Sequence, residues 1–212
     1  GTSTIAQKFD FNTERLDGLV GNLATVKGQG KEVLLVTSGA IVAGSGKLGF
    51  THRPQTLPEL QAAAAVGQSW LMHAYEIRFQ QYHLTTAMIL LTQEDFSHRG
   101  RYIHISNTLR TLLRLNVIPI INENDTVAVE EIKVGDNDTL AAYVTNLAEA
   151  DLLIILSDQD GFYTADPRKD PNAKLISRVP NITEEMKRSA GSTASETGIG
   201  GMSTKLRAAE IV

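Results

Sequence analysis

Four polar stretches hold the residues whose types and order could do chemistry. Ser38 and Gly39 follow one short apolar run, Asn122, Glu123, Asn124 and Asp125 follow a second, and Ser157, Asp158, Gln159 and Asp160 follow a third. Near the end of the chain, Gly198, Gly200 and Gly201 lead into Met202, Ser203, Thr204 and Lys205. Taken singly, each of the first three is better explained as turn and helix-cap chemistry, for which Ser, Asn, Asp and Gly are all suited. Their agreement at several strand ends weakens that explanation, because ligands of open parallel sheets bind beyond the carboxyl ends of the strands. The glycine-rich stretch offers backbone N–H groups at a helix N-terminus and a mobile cation, which together suit a phosphate. A plain surface loop fits it about as well.

Other chemistries fail on spacing. Asp136, Asn137 and Asp138 open like a calcium loop, but Ala141 stands at its sixth position and Leu147 at its twelfth, where glycine and glutamate are required. These carboxylates could cap a helix, or orient lysines and a substrate ammonium group. Neither glycine-containing stretch is a Walker A loop: Ser45 stands where the lysine should follow Gly44, and Lys205 does not directly follow a glycine. The five histidines have no ligand spacing, and the absence of cysteine excludes thiolate metal sites, disulfides and a thiol nucleophile. No protein-held metal is predicted. Ser38 lacks the Gly-x-Ser-x-Gly elbow of a hydrolase nucleophile.

These stretches must be positioned by alternating strands and helices. Leu16, Leu19, Val20, Leu23 and Val26 recur at helical spacing between Asn12 and Lys27, and Gly28 and Gly30 stop that helix. Val33 to Thr37 reads as a strand, followed through Ser38 and Gly39 by another helical stretch. Thr56 and Glu59 have capping-box spacing, with Pro58 in the first turn, and open a helix to about Tyr82 whose core face carries Leu60, Ala64, Trp70, Leu71, Tyr75 and Phe79. Strands over Thr86 to Leu91, Val117 to Ile121 and Leu152 to Leu156 alternate with helices over about Arg101 to Leu115 and Asp138 to Ala148. Val127 to Val134 suits a short hairpin, and Asp158 to Pro180 an excursion of turns with a hairpin. Ser203 to Val212 is a last helix. The pattern is α/β, with a mostly parallel sheet and helices on both faces.

Composition narrows the partners. Of 212 residues 42% are hydrophobic, enough for a core without staples. Twenty Lys and Arg against 24 Asp and Glu, with no long block of either sign, argue against a nucleic-acid footprint. The apolar runs fall far short of the roughly 20 residues of a membrane span, and no stretch resembles a signal peptide, so a cytoplasmic protein without membrane contact is expected. The chain starts at Gly1 without methionine and stops at Val212 inside a helical pattern, so 1–212 is read as one domain cut at both ends.

Taken together, the motifs resemble the amino-acid kinase family, and within it the members that phosphorylate glutamate. They are Thr37-Ser38-Gly39-Ala40, Asn122 to Asp125, Lys133 to Asp138, Ser157-Asp158 with Gly161, Tyr163 to Asp166 and Pro167, and Gly200 to Lys205. They keep order and approximate spacing over nearly the whole chain. The resemblance implies a three-layer α/β/α sandwich on a mainly parallel sheet and transfer of the ATP γ-phosphoryl group, with Mg2+, to the side-chain carboxylate of L-glutamate. It implies Ser38, Asp125 and Asn137 as substrate contacts, with Gly39 and Asn122 close by. Ser157, Asp158 and the stretch Ile199, Gly200, Gly201, Met202, Ser203, Thr204 and Lys205 are implied as the nucleotide site. Lys205 would neutralise the phosphoryl group in flight, and Asp138 would orient catalytic lysines. Proline as a feedback inhibitor and a homodimer or homotetramer are implied as well. Family members carry a further lysine two residues before the glycine matching Gly1, C-terminal strands and, in some, a PUA domain; none of these lies in this sequence. Within the same fold another carboxylate, carbamate or nucleotide acceptor is the alternative, and a non-catalytic nucleotide- or amino-acid-binding module is a third.

Overall fold

A computed structural model describes residues 6–7, 10–127, 137–191 and 201–212. The short strands β1 (Ala6–Gln7) and β2 (Asp10–Phe11) pair antiparallel ahead of helix α1 (Thr13–Gly28). The Asn12 side chain caps that helix, accepting from the Arg15 N–H at 3.0 Å, and the helix lies where the periodicity predicts it. The central sheet has the order β3 (Leu35–Val36), β5 (Ile118–Glu123), β4 (Thr86–Leu91), every pair parallel. Parallel neighbours require crossovers. Helices α2 (Ala40–Lys47) and α3 (Leu57–Gln80) make the one from β3 to β4, while α4 (Gln93–Ser97) and α5 (Arg99–Arg114) make the one from β4 to β5.

Alternation along the strands sorts the core into two layers. Leu35, Ile118 and Ile120 face α1 and α3, where Leu16, Val20, Leu71, Tyr75 and Phe79 are buried. Ile121 and Leu91 face the other side, covered by Leu109 of α5 and by Leu140, Val144 and Leu147 of α6 (Asn137–Ala148). Each such side chain contributes roughly 1.5–3 kcal/mol on burial. The result is an α/β/α arrangement, the sheet lying between helical layers. On the first side α2 and α3 touch through glycine: a Cβ on Gly67 would stand 1.7 Å from the Ala40 carbonyl oxygen, and one on Gly44 1.8 Å from that of Ala63. No larger residue permits that approach.

The rest of the chain adds the hairpin β6 (Phe162–Tyr163) and β7 (Leu175–Ile176), then α7 (Glu184–Gly191) and α8 (Met202–Ile211). Beyond the hairpin strand, Asp166 accepts from the Arg168 guanidinium, which holds its carboxyl below the usual range.

Two expectations are corrected, and two helices form where the sequence pattern predicts none. Among the described residues Leu152 to Leu156 forms no ladder: Leu152, Ile154 and Leu156 are 72%, 69% and 47% exposed, so an apolar run here lacks a described hydrogen-bonded neighbour that would make it a strand. Trp70 is off the core face of α3, and Lys47 lies over its ring, 3.7 Å from the centroid. Thr183 caps helix α7 by accepting from the Met186 N–H at 3.3 Å. At the start of α4 the Thr92 N–H donates to Asp95 at 2.6 Å. The hairpin expected over Val127 to Val134 lies, apart from Val127, outside the described residues.

Candidate functional site

The carboxyl ends of β3 and β5 meet at one rim of the sheet. The Thr37 N–H donates to the Ile121 carbonyl at 2.9 Å, carrying the ladder one residue past β3. Ser38 follows, buried, and Gly39 turns the chain into α2 with φ 100°, a left-handed conformation that an L side chain would strain. On the next strand Asn122 is 2% exposed. Its Nδ2 donates to Gln68 Oε1 at 2.8 Å, and its Oδ1 accepts from the Glu123 N–H at 2.9 Å. The Asn124 N–H donates to the Leu91 carbonyl at 2.8 Å, and the Val127 N–H donates back to the Asn124 carbonyl at 3.2 Å. Half-buried Asp125 therefore sits in a turn fixed to the ends of β4 and β5. Ser38, Gly39, Asn122 and Asp125 share this rim.

A second group forms where α6 and α8 begin. Asp138 Oδ2 accepts from Lys205 Nζ and from the Thr204 hydroxyl, each at 2.9 Å. The Thr204 proton is shared with the Gly201 carbonyl at 2.7 Å. At the far end, Asn146 Nδ2 donates to the Ile211 carbonyl at 2.8 Å. Helices tied start to start and end to end run parallel, so α6 and α8 present their positive N-terminal ends together. Leu140, in the first turn of α6, is buried in one cluster with Ile121 and Leu91, which lie near the carboxyl ends of their strands, so α6 starts at the same rim. The buried Asn137 Oδ1 has no hydrogen-bond partner among the described residues. A buried acceptor left so costs about 1–3 kcal/mol, which a donor on a ligand would recover.

The arrangement gathers positive charge around a polar rim: the N-termini of α2, α6 and α8, and Lys205. An anion fits there, and carboxylate and amide acceptors for an ammonium group lie beside it. Ser157 and Asp158 make their hydrogen bonds locally. Ser157 Oγ accepts from the Gln159 N–H at 3.2 Å and lies 3.5 Å from Asp158 Oδ1, and among the described residues no hydrogen bond links either to Asp138 or Lys205. Gly201 caps α8 in extended conformation, with Met202, Ser203 and Thr204 in its first turn. Ile199, Gly200 and the stretch from Lys133 to Asp136 lie outside the described residues. Among the described residues no group of three His, Cys, Asp or Glu could hold a metal ion.

Two residues of α3 reach this rim: Gln68, which the sequence pattern does not single out, and Tyr75, which it places on the core face without a polar role. The Tyr75 hydroxyl is 2.8 Å from Thr37 Oγ1, and burial pushes it up to about 12, against the opposing effects of the Thr37 bond and the Arg78 charge. The available signal was polarity out of place: a glutamine one position from Gly67, on the helix face that carries Ala64 and Leu71.

The chain is 56% identical over 197 residues to a glutamate 5-kinase of Citrifermentans bemidjiense, covering 93% of this chain and 53% of that protein. It is 52% identical over 212 residues to a glutamate 5-kinase of Caldanaerobacter subterraneus subsp. tengcongensis, covering 100% of this chain and 57% of that protein. The chain thus spans little more than half the length of these relatives. Among solved structures it shares the fold of the T. acidophilum isopentenyl phosphate kinase in its product complex, with TM-score 0.58, 16% identity and 83% and 75% of the two chains covered. It also resembles an aspartate kinase from Synechocystis with TM-score 0.55 and 16% identity, over 84% of this chain and 31% of that one. A family model described as "Amino acid kinase family" matches residues 3–212, which is nearly every residue that builds the sheet, its helical layers and the polar rim, and the chain belongs to that family.

Proposed function

We propose that the protein transfers the γ-phosphoryl group of ATP to the side-chain carboxylate of L-glutamate, giving glutamyl 5-phosphate for proline synthesis. The observation that carries this reading is Lys205, held at the paired N-termini of α6 and α8 by Asp138. A glutamate carboxylate is ionised at neutral pH and needs no general base. Its obstacle is repulsion by the phosphates. One carboxylate oxygen bonds to the γ-phosphorus as the bond to the β-bridging oxygen breaks, and ADP leaves with that electron pair. No proton moves.

The residues act by alignment and charge. Lys205 has three N–H donors, and Asp138 occupies one, so the others serve the transferring phosphoryl oxygens. Asp138 aims the ammonium group and Thr204 helps fix the carboxylate that does so. Asp125 and the Asn137 carbonyl oxygen accept from the α-ammonium group of glutamate, while Ser38, Gly39 and Asn122 line the acceptor side. Ser157, Asp158 and the 199–205 stretch serve the nucleotide. Mg2+ would supply charge neutralisation between the phosphates; with no protein cage among the described residues, it fits only as an ion carried by the nucleotide and water.

The test is hydroxylamine trapping. Full-length protein with ATP, Mg2+ and L-glutamate should yield glutamyl hydroxamate in step with ADP. ADP release with acetylglutamate, aspartate or carbamate but not glutamate would move the acceptor, and ligand binding without any ADP release would make this a binding module. The same reading includes proline as an inhibitor and assembly into a dimer or tetramer, checked by adding proline to that assay and by sedimentation.

A further inference from the structure

Gln68 and Tyr75 are two turns apart on the buried face of α3, at 8% and 0% exposure. Each reaches the end of a different strand. Gln68 Oε1 accepts from Asn122 at the end of β5, and the Tyr75 hydroxyl bonds Thr37 just beyond β3. The Gln68 amide also donates to Met88 Sδ of β4 at 3.5 Å. The three strands described in the sheet are thus each held by a side chain of one helix. Burying such amides and hydroxyls among Leu71, Ala74 and Phe79 costs desolvation that apolar residues would not, so the polar choice is explained by direction rather than by stability. The close contact at Gly67, adjacent in sequence to Gln68, fixes the height of α3 over α2, whose first residue follows Gly39.

We propose that Gln68 and Tyr75 are positioning residues that set the spacing between the Thr37–Gly39 turn and the Asn122–Asp125 loop, and through it the affinity for the acceptor. The inference rests on the acceptor reading given above. Both would act through Thr37 and Asn122 rather than by contact with substrate.

The variants are Tyr75→Phe, which removes one oxygen and keeps the ring, and Gln68→Leu, made in the full-length protein. Each should raise the acceptor KM about three- to tenfold, the worth of one hydrogen bond, with kcat and the ATP KM within about twofold. A fall in kcat with an unchanged acceptor KM, alongside a lower melting temperature, would be the mark of a merely structural role and overturns the proposal. Should the wild type turn over an acceptor other than glutamate, the same KM ratio is measured with that acceptor, so an error in the substrate and an error in the positioning are told apart. Amide hydrogen exchange gives a readout independent of turnover. Ser38 to Ile41 and Asn124 to Val127 should exchange at least about threefold faster in both variants than in wild type, and unchanged protection there refutes the positioning role.

Discussion

Gly67→Ala is the most demanding perturbation the fold offers, because one methyl group meets backbone on the opposite helix. Its Cβ would lie 1.7 Å from the Ala40 carbonyl oxygen and 2.5 Å from the Gly44 nitrogen. Ordinary carbon–oxygen contact begins near about 3.3 Å, so α2 and α3 must part by roughly 1.5 Å. Neither obstacle is a side chain that could rotate away. Overpacking of this kind costs about 3 kcal/mol, offset by about 1 kcal/mol of better helix propensity. The net of about 2 kcal/mol corresponds to a fall in Tm of about 4–8 °C at this chain length. Gly18→Ala is the matched control: it too is a glycine inside a helix, yet nothing lies within 4 Å of its added Cβ. It should gain about 0.5–1 kcal/mol. Thermal unfolding followed by circular dichroism measures both. Trp70, the sole tryptophan, lies on α3 under the Lys47 ammonium of α2, so its emission should change in folded Gly67→Ala and not in Gly18→Ala. Equal melting temperatures for Gly67→Ala and wild type, or equal losses in both variants, would refute the claim that these helices touch backbone to backbone.

Three further outcomes are expected. Lys205→Met should lower kcat on the order of 10²–10³-fold with the ATP KM within about threefold; unchanged turnover in the hydroxamate assay removes Lys205 from the chemistry. The raised Tyr75 hydroxyl favours the protonated native state, so its contribution is complete below about pH 10 and is lost as pH rises towards 12. Urea unfolding at pH 9 and 11 should therefore show wild type losing about 1 kcal/mol more than Tyr75→Phe over that interval; parallel losses would contradict the burial of a neutral phenol. His83, just past α3, has φ 56°, where glycine is unstrained, and His83→Gly should raise stability by about 1 kcal/mol in the same titration at pH 7, a fall counting against the strain.

The order of elements was legible in the sequence because periodicity and caps are local signals. Asn12 caps α1 where the pattern starts, and Thr86–Leu91 is a strand over the residues expected. What escaped depends on partners distant in the chain. Leu152 to Leu156 has the composition of a buried strand, yet a strand exists only where a neighbour completes its hydrogen bonds. Trp70 and Leu71 are adjacent in sequence and about 100° apart on the helix, so hydropathy alone could not say which side the sheet would take. The candidate site was legible as residues and not as contacts. The family resemblance already implies that Asp138 orients Lys205, but no local signal marks the pair, which lies 67 positions apart and meets because α8 lies along α6. Gln68 and Gly67 drew no notice, because nothing local distinguishes a glutamine that holds an asparagine 54 residues away.

The double attachment of α8 has a mechanical consequence. If the Lys205 ammonium swings from Asp138 towards an arriving phosphate, the Thr204 hydroxyl and the Asn146 amide still fasten the helix at both ends. The excursion is then confined to the rotatable bonds of a single flexible side chain, a rearrangement complete in nanoseconds, with no displacement of packed backbone to slow each cycle.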